Sequence, residues 1–111
     1  MKLVNVELTE KELMNLKYEV ANTTVELQPS LNNQKSFYNK AKVVFYKNGN
    51  IALLSYETIV AIKFGDTGNV ALLNKEEYTN TTVRHLNDFL YKIGLITKKQ
   101  TKRNLIEGNL K

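Results

Sequence analysis

His85 is the only histidine in the chain and cysteine is absent, so acid–base or nucleophilic chemistry would have to pass through one imidazole. Ser55, Tyr56 and Thr58 are the hydroxyls it would activate. A nucleophile needs a base within hydrogen-bond reach and a third group that orients the base. Asp88 lies three residues beyond His85 on the same expected helix, close enough to touch it. Nothing in the sequence ties a hydroxyl to that pair, and no strained Gly-X-Ser-X-Gly elbow occurs. The first-turn position of His85 also disfavours the imidazolium through the helix dipole. The residues favour a structural histidine bonded to a backbone carbonyl or to Asp88, with partner contact as the second reading. No catalytic residue is assigned.

Other chemistry is narrowed by what is missing. Without cysteine and with one imidazole, a transition-metal site would need carboxylates, and no helical or hairpin spacing gathers them. The glycines at 49, 65, 68, 94 and 108 fit turn and cap positions, and none belongs to a phosphate-cradling loop. Neither a metal nor a cofactor is expected. The net charge of +5 is uneven: after Ile93, five cations against Glu107 account for +4 of it. Lys98, Lys99, Lys102 and Arg103 would cluster on a short helix and meet phosphate there, although a charge run is more often a solvated face. Arg84, Asp88 and Tyr91 run opposite the helix's apolar stripe, and the i,i+4 pair of Arg84 with Asp88 reads first as a solvated face and second as a recognition surface. With His85 and the four tail cations, Arg84 and Tyr91 form the candidate partner-binding set. Tyr38, Tyr46 and Tyr56 invite comparison with base-stacking sheets. In the hairpin register below, Tyr46 and Tyr56 fall on opposite faces, so core or edge packing is favoured.

These residues depend on a few elements. Thr81, with Asn80 or Thr79 as alternatives, caps a helix in which Val83, Leu86, Phe89, Leu90 and Ile93 fall within an arc of about 120°. Gly94 suits a left-handed stop, with Leu95 folding back on Leu90. Upstream, Leu3 to Leu8 alternates as a short strand. Thr9 and Glu12 open a capping box for a helix over 10–21, with Leu13, Leu16 and Val20 on one face. Residues 23–35 read as a loop around Pro29, with a short strand from Thr24 to Leu27. Asn48-Gly49 is a strong signal for a two-residue type I′ hairpin. That turn sets Phe45 opposite Ala52, Val43 opposite Leu54 and Ala41 opposite Tyr56 on one side. Tyr46 with Ile51, Val44 with Leu53 and Lys42 with Ser55 occupy the other. Both faces are apolar near the turn, so the sheet should be covered on both sides or form an interface. Residues 51–64 fit either one bent strand or two strands. Gly65 to Gly68 reverses the chain into a strand at 69–73. Thr97 and Gln100 suggest a last short helix ended by Gly108.

Three runs then carry a resemblance: Ser36-Phe37-Tyr38-Asn39-Lys40-Ala41, Leu54 to Ala61 with its Ser-Tyr-X-Thr-X-Val pattern, and Thr81-Thr82-Val83-Arg84-His85 with Phe89 and Gly94. Over about residues 35–95 the chain resembles a family of small proteins typical of phages and prophages of low-GC Gram-positive bacteria. The resemblance implies a phage setting and brings no activity with it.

The expected fold is α+β: a small, mainly antiparallel sheet, the helix from the C-terminal half on one face, and an N-terminal helix nearby. Residues 1–95 form one domain and 96–111 a basic tail. No apolar run approaches the roughly 18 residues of a membrane span. Polar residues arrive too early for a signal peptide, which points to the host cytoplasm. The expected function is a non-enzymatic phage accessory protein that binds a host protein or defence complex. The alternative is a small nucleic-acid-binding protein that uses the tail. An apolar sheet face would permit a homo-oligomer.

Overall fold

The computed structural model describes residues 1–6 and 8–111, with the backbone alone for 10, 13, 17 and 18. The expected alternation through Glu7 and the side chain of Leu13 lie outside the described residues. In chain order the elements are β1 (Leu3–Val4), α1 (Glu10–Tyr18), β2 (Ala21–Glu26), β3 (Ala41–Tyr46), β4 (Ile51–Ser55), β5 (Thr58–Lys63) and β6 (Val70–Leu72). A 3₁₀ turn (Lys75–Glu77), α2 (Asn80–Lys92) and α3 (Lys102–Glu107) follow. The strands form one six-stranded sheet in the order β1-β6-β5-β4-β3-β2. Among the described residues only the β1–β6 pairing is parallel. This is an α+β domain with a mostly antiparallel sheet. Among the described residues no helix is long and apolar enough to cross a membrane.

The first hairpin corrects the expected register. The Gly49 N–H donates to the Tyr46 carbonyl at 3.0 Å and the Tyr46 N–H to the Asn50 carbonyl at 2.9 Å. The loop therefore holds Lys47, Asn48 and Gly49, and of these only Gly49, at φ 92°, is left-handed. A type I turn followed by a left-handed glycine uses Asn-Gly as readily as the two-residue turn does. Asn48 Oδ1 fixes it by accepting the Asn50 N–H at 3.0 Å. Ala41 thus pairs with Ser55, Val43 with Leu53 and Phe45 with Ile51. A slip of one residue turns every β4 side chain to the other face. The two-residue turn with positive φ at both positions occurs instead at Tyr56-Glu57, at 51° and 73°, and divides 51–64 into two strands.

Each face of the sheet has its own cluster. Val43, Leu53, Val60 and Leu72 join Leu86, Phe89 and Leu90 of α2, with Val83 and Ile93 packed alongside. Val44, Ala52, Ile59, Ile62 and Ala71 form the second cluster, and Leu16 of α1, Val4, Val6 and Leu8 pack against it. Helix α2 starts at the Thr79 cap, whose hydroxyl accepts the Thr82 N–H at 3.1 Å. It ends with the Leu95 N–H on the Leu90 carbonyl at 2.9 Å and the Gly94 N–H on the Tyr91 carbonyl at 3.1 Å. Those are the paired bonds of a Schellman ending. The last helix is capped by Thr101 rather than Thr97.

The segment 96–111 is part of this packing. Ile96 and Leu105 are buried in the first cluster. Gln100 is buried too, and its N–H donates to Asn87 Oδ1 at 2.6 Å, while Asn87 Nδ2 donates to the Gln100 carbonyl at 2.9 Å. The basic residues project from a segment that closes one side of the core.

Candidate functional site

The observed register aims Ser55 at α2, and there it meets His85. Ser55 Oγ lies 2.8 Å from His85 Nδ1 and 3.0 Å from Thr82 Oγ1. The Thr79 hydroxyl donates to Thr82 Oγ1 at 3.2 Å. Thr82 Oγ1 has two lone pairs, so either hydroxyl of the Thr82–Ser55 pair can donate, and the role of Nδ1 follows the imidazole tautomer. His85 is a neutral imidazole at neutral pH. Burial is the main cause that lowers its pKa to about 4, Arg84 adds to the effect, and Asp88 opposes it. Phe37 packs edge-on at 4.7 Å between ring centroids, and the Tyr56 ring stands 5.8 Å away.

A serine hydroxyl within hydrogen-bond reach of an imidazole is the pairing an activated nucleophile needs. Here Ser55 is 2% exposed and His85 1%, so both are shielded from solvent. The imidazole is also a weak base. Its expected companion serves elsewhere: the Asp88 carboxylate accepts the N–H groups of Ser30 and Leu31 and the side-chain amide of Asn32. The aspartate fastens the 27–35 segment to α2 and makes no hydrogen bond to His85. It is fully buried, which corrects its expected place on a solvated face beside Arg84. Arg84 is exposed, and its carbonyl accepts the Asn32 amide at 3.0 Å.

Of the seven residues singled out for partner contact, His85 is thus inside the protein. Arg84, Tyr91, Lys98, Lys99, Lys102 and Arg103 are exposed. Arg103 is bound to Glu107 at 2.8 Å, the one ion pair among the described residues. Two surface grooves lie on the sheet. A groove of about 330 Å³ lies between α2 and the β2–β4 part of the sheet, walled by Val25, Leu27, Phe45, Ile51, Phe89 and Ile93. On the other sheet face a groove of about 580 Å³ is lined by Lys40, Lys42, Val44, Tyr46, Leu54 and Tyr56, among others. Tyr46 and Tyr56 therefore share one groove, which corrects their expected separation. The slip in the hairpin is the reason, and no signal in the sequence discloses it.

The model of a family of unknown function (DUF8033) matches residues 25–107. The chain belongs to that family. The matched span holds β3 to β6, all of α2 and α3, and the Ser55–His85 chain of hydroxyls, so the DUF8033 unit includes the segment that carries the tail cations. No curated protein and no solved structure matches this DUF8033 member.

Proposed function

We propose that this DUF8033 member is a non-enzymatic phage accessory protein that acts in the host cytoplasm by binding a bacterial protein or defence complex. The observation that carries the reading is the β2 border of the sheet. Strand Ala21–Glu26 is last in the sheet order, and Ala21 to Val25 are all exposed. An open edge strand presents unpaired backbone N–H and C=O groups to another chain. The groove alongside, with Val25 43% and Phe45 38% exposed at its rim, offers apolar seats for alternate side chains of an added strand. Strand addition draws affinity from the backbone and specificity from such seats. A second copy of the chain could use the same edge to form a homo-oligomer.

On this reading α2, packed on one face of the sheet, is scaffold. The burial of Ser55 and His85 supports a binding role over a catalytic one. The phage setting is supported by the Ser-Tyr-X-Thr-X-Val and Thr-Thr-X-Arg-His runs. The test is recovery of tagged protein from host lysate, with and without nuclease, beside a Val25→Asp, Phe45→Asp variant. One stoichiometric protein partner, indifferent to nuclease and lost from the variant at an unchanged melting temperature, is expected. Recovery that disappears with nuclease would replace this reading with the nucleic-acid one.

A further inference from the structure

The end of the sheet away from the Asn48-Gly49 loop carries two left-handed turns side by side. Tyr38 and Asn39 have φ of 52° and 65°, and the Lys40 N–H closes their turn on the Phe37 carbonyl at 3.0 Å. Tyr56 and Glu57, at 51° and 73°, form the other, and the Tyr56 N–H donates to the Lys40 carbonyl at 2.9 Å. Such positions normally hold Gly, Asn or Asp, and a bulky residue there is an outlier. Both turns lead with tyrosine. Burial does not account for the choice, since Tyr38 is 72% and Tyr56 50% exposed. Strain retained under an exposed aromatic ring is a reason to look for a ligand.

The surroundings say which ligand. Lys40 Nζ stands over the Tyr56 ring, 5.6 Å from its centroid. Lys40, Lys42, Tyr46 and Tyr56 line the groove of about 580 Å³, and of the residues around it only Glu57 is acidic. Neither lysine is in an ion pair among the described residues. Val44 and Leu54 form an apolar floor. Aromatic rings on a cationic groove suit bases that stack while their phosphates are neutralised. A duplex keeps its bases stacked inside and gains nothing from the rings, and an acidic peptide has no use for them.

We infer that this groove binds single-stranded nucleic acid, with a base stacked on Tyr56 and phosphates on Lys40 and Lys42. The surface is separate from the β2 groove: its residues Lys42, Val44 and Tyr46 alternate with Val43 and Phe45, so the two open on opposite sheet faces.

The experiment is fluorescence anisotropy of the full chain with a labelled oligothymidylate of about ten nucleotides, beside a duplex of the same length, across a salt series. Binding to the single strand is expected to exceed binding to the duplex. Tyr56→Asn removes the ring and suits the left-handed backbone, so affinity should fall about tenfold or more while the melting temperature holds or rises. Lys40→Gln with Lys42→Gln should flatten the slope of log K against log salt by about 1.4, from about 0.7 per phosphate on single strands. Neutralising Lys98, Lys99, Lys102 and Arg103 should leave single-strand binding in place. The assignment is overturned by absent binding at low salt, by equal affinity for the duplex, by full binding in Tyr56→Asn, or by loss only in the tail variant.

Discussion

His85 is the residue whose environment makes the most specific demand on solution behaviour. Its folded pKa of about 4 lies below the roughly 6.5 of an unfolded chain. Between those values the unfolded state holds a proton that the folded state does not, so stability rises with pH across that window. The stability is complete above about pH 6.5, is lost as pH falls, and levels off below about pH 4, for a total of about 3 kcal/mol at most. Urea midpoints taken from about pH 7 down to about pH 5 should decline in the natural chain and stay nearly flat in His85→Asn. Imidazole resonances that titrate near pH 6.5 would refute the buried, neutral state. Ser55→Ala should cost about 1–3 kcal/mol, because Nδ1 and the Thr82 hydroxyl lose their shared partner in the interior. A loss below a few tenths would mean that the hydroxyl chain is not holding α2 to β4. The sequence named Ser55, Tyr56 and Thr58 as hydroxyls for His85, missed Thr82, and could not join Ser55 to the ring. That junction depends on which way β4 faces, a property of the turn and not of the residues joined.

At the scale of elements, α2 was the most legible part of the chain. Its period of apolar residues, threonine start and glycine stop act locally, and local chemistry shows in sequence. Leu86→Ala and Leu90→Ala should each cost about 2–5 kcal/mol in urea unfolding, since both side chains are 0% exposed. Losses under about 1 kcal/mol at both would contradict the packing of that face. The hairpins were less legible because Asn-Gly serves two loop lengths, and the shorter gives the wrong face. A second constraint on that loop is tertiary. Gly65 approaches Gly49 so closely that a Cβ on it would lie 2.6 Å from the Gly49 carbonyl carbon. Asn50 Oδ1 ties the two turns by accepting the Gly65 N–H at 2.9 Å. Gly65→Ala should therefore destabilise by about 1–3 kcal/mol through backbone overlap. Gly49→Val, with a β-branched residue at φ 92°, should lose well over the ~1 kcal/mol of ordinary glycine effects. Circular dichroism melts would show either result, and a neutral Gly65→Ala would place the two turns apart.

For the whole molecule, the division into a domain and a basic tail described the charge and not the packing. Ile96, Gln100 and Leu105 are buried residues spread through a polar stretch, and too few to give a period. Cutting after Leu95 would open the core, so the nucleic-acid alternative is better tested by substitution. If Lys98, Lys99, Lys102 and Arg103 neutralise four phosphates on duplex DNA, the slope of log K against log salt should be about −3.6. Changing all four to Gln should bring it near zero with the melting temperature preserved. Little duplex binding by the natural chain, even at low salt, would leave the protein-partner reading standing.

The order of the strands sets a timetable for the chain. From β2 to β6 each strand lies beside its successor, so this meander can assemble from contacts close in sequence. Leu3 and Val4 pair with Val70 and Ala71, from the far end of that meander. Closing so long a loop has an entropic cost before any contact offsets it. The N-terminal strand should consequently dock last in folding and detach first, carrying α1 with it. Native-state hydrogen exchange would then find the Val70 amide, which donates to the Lys2 carbonyl at 2.9 Å, opening well before the amides that join β3 to β4. During synthesis, Leu3 and Val4 would wait for nearly the whole sheet before finding their place.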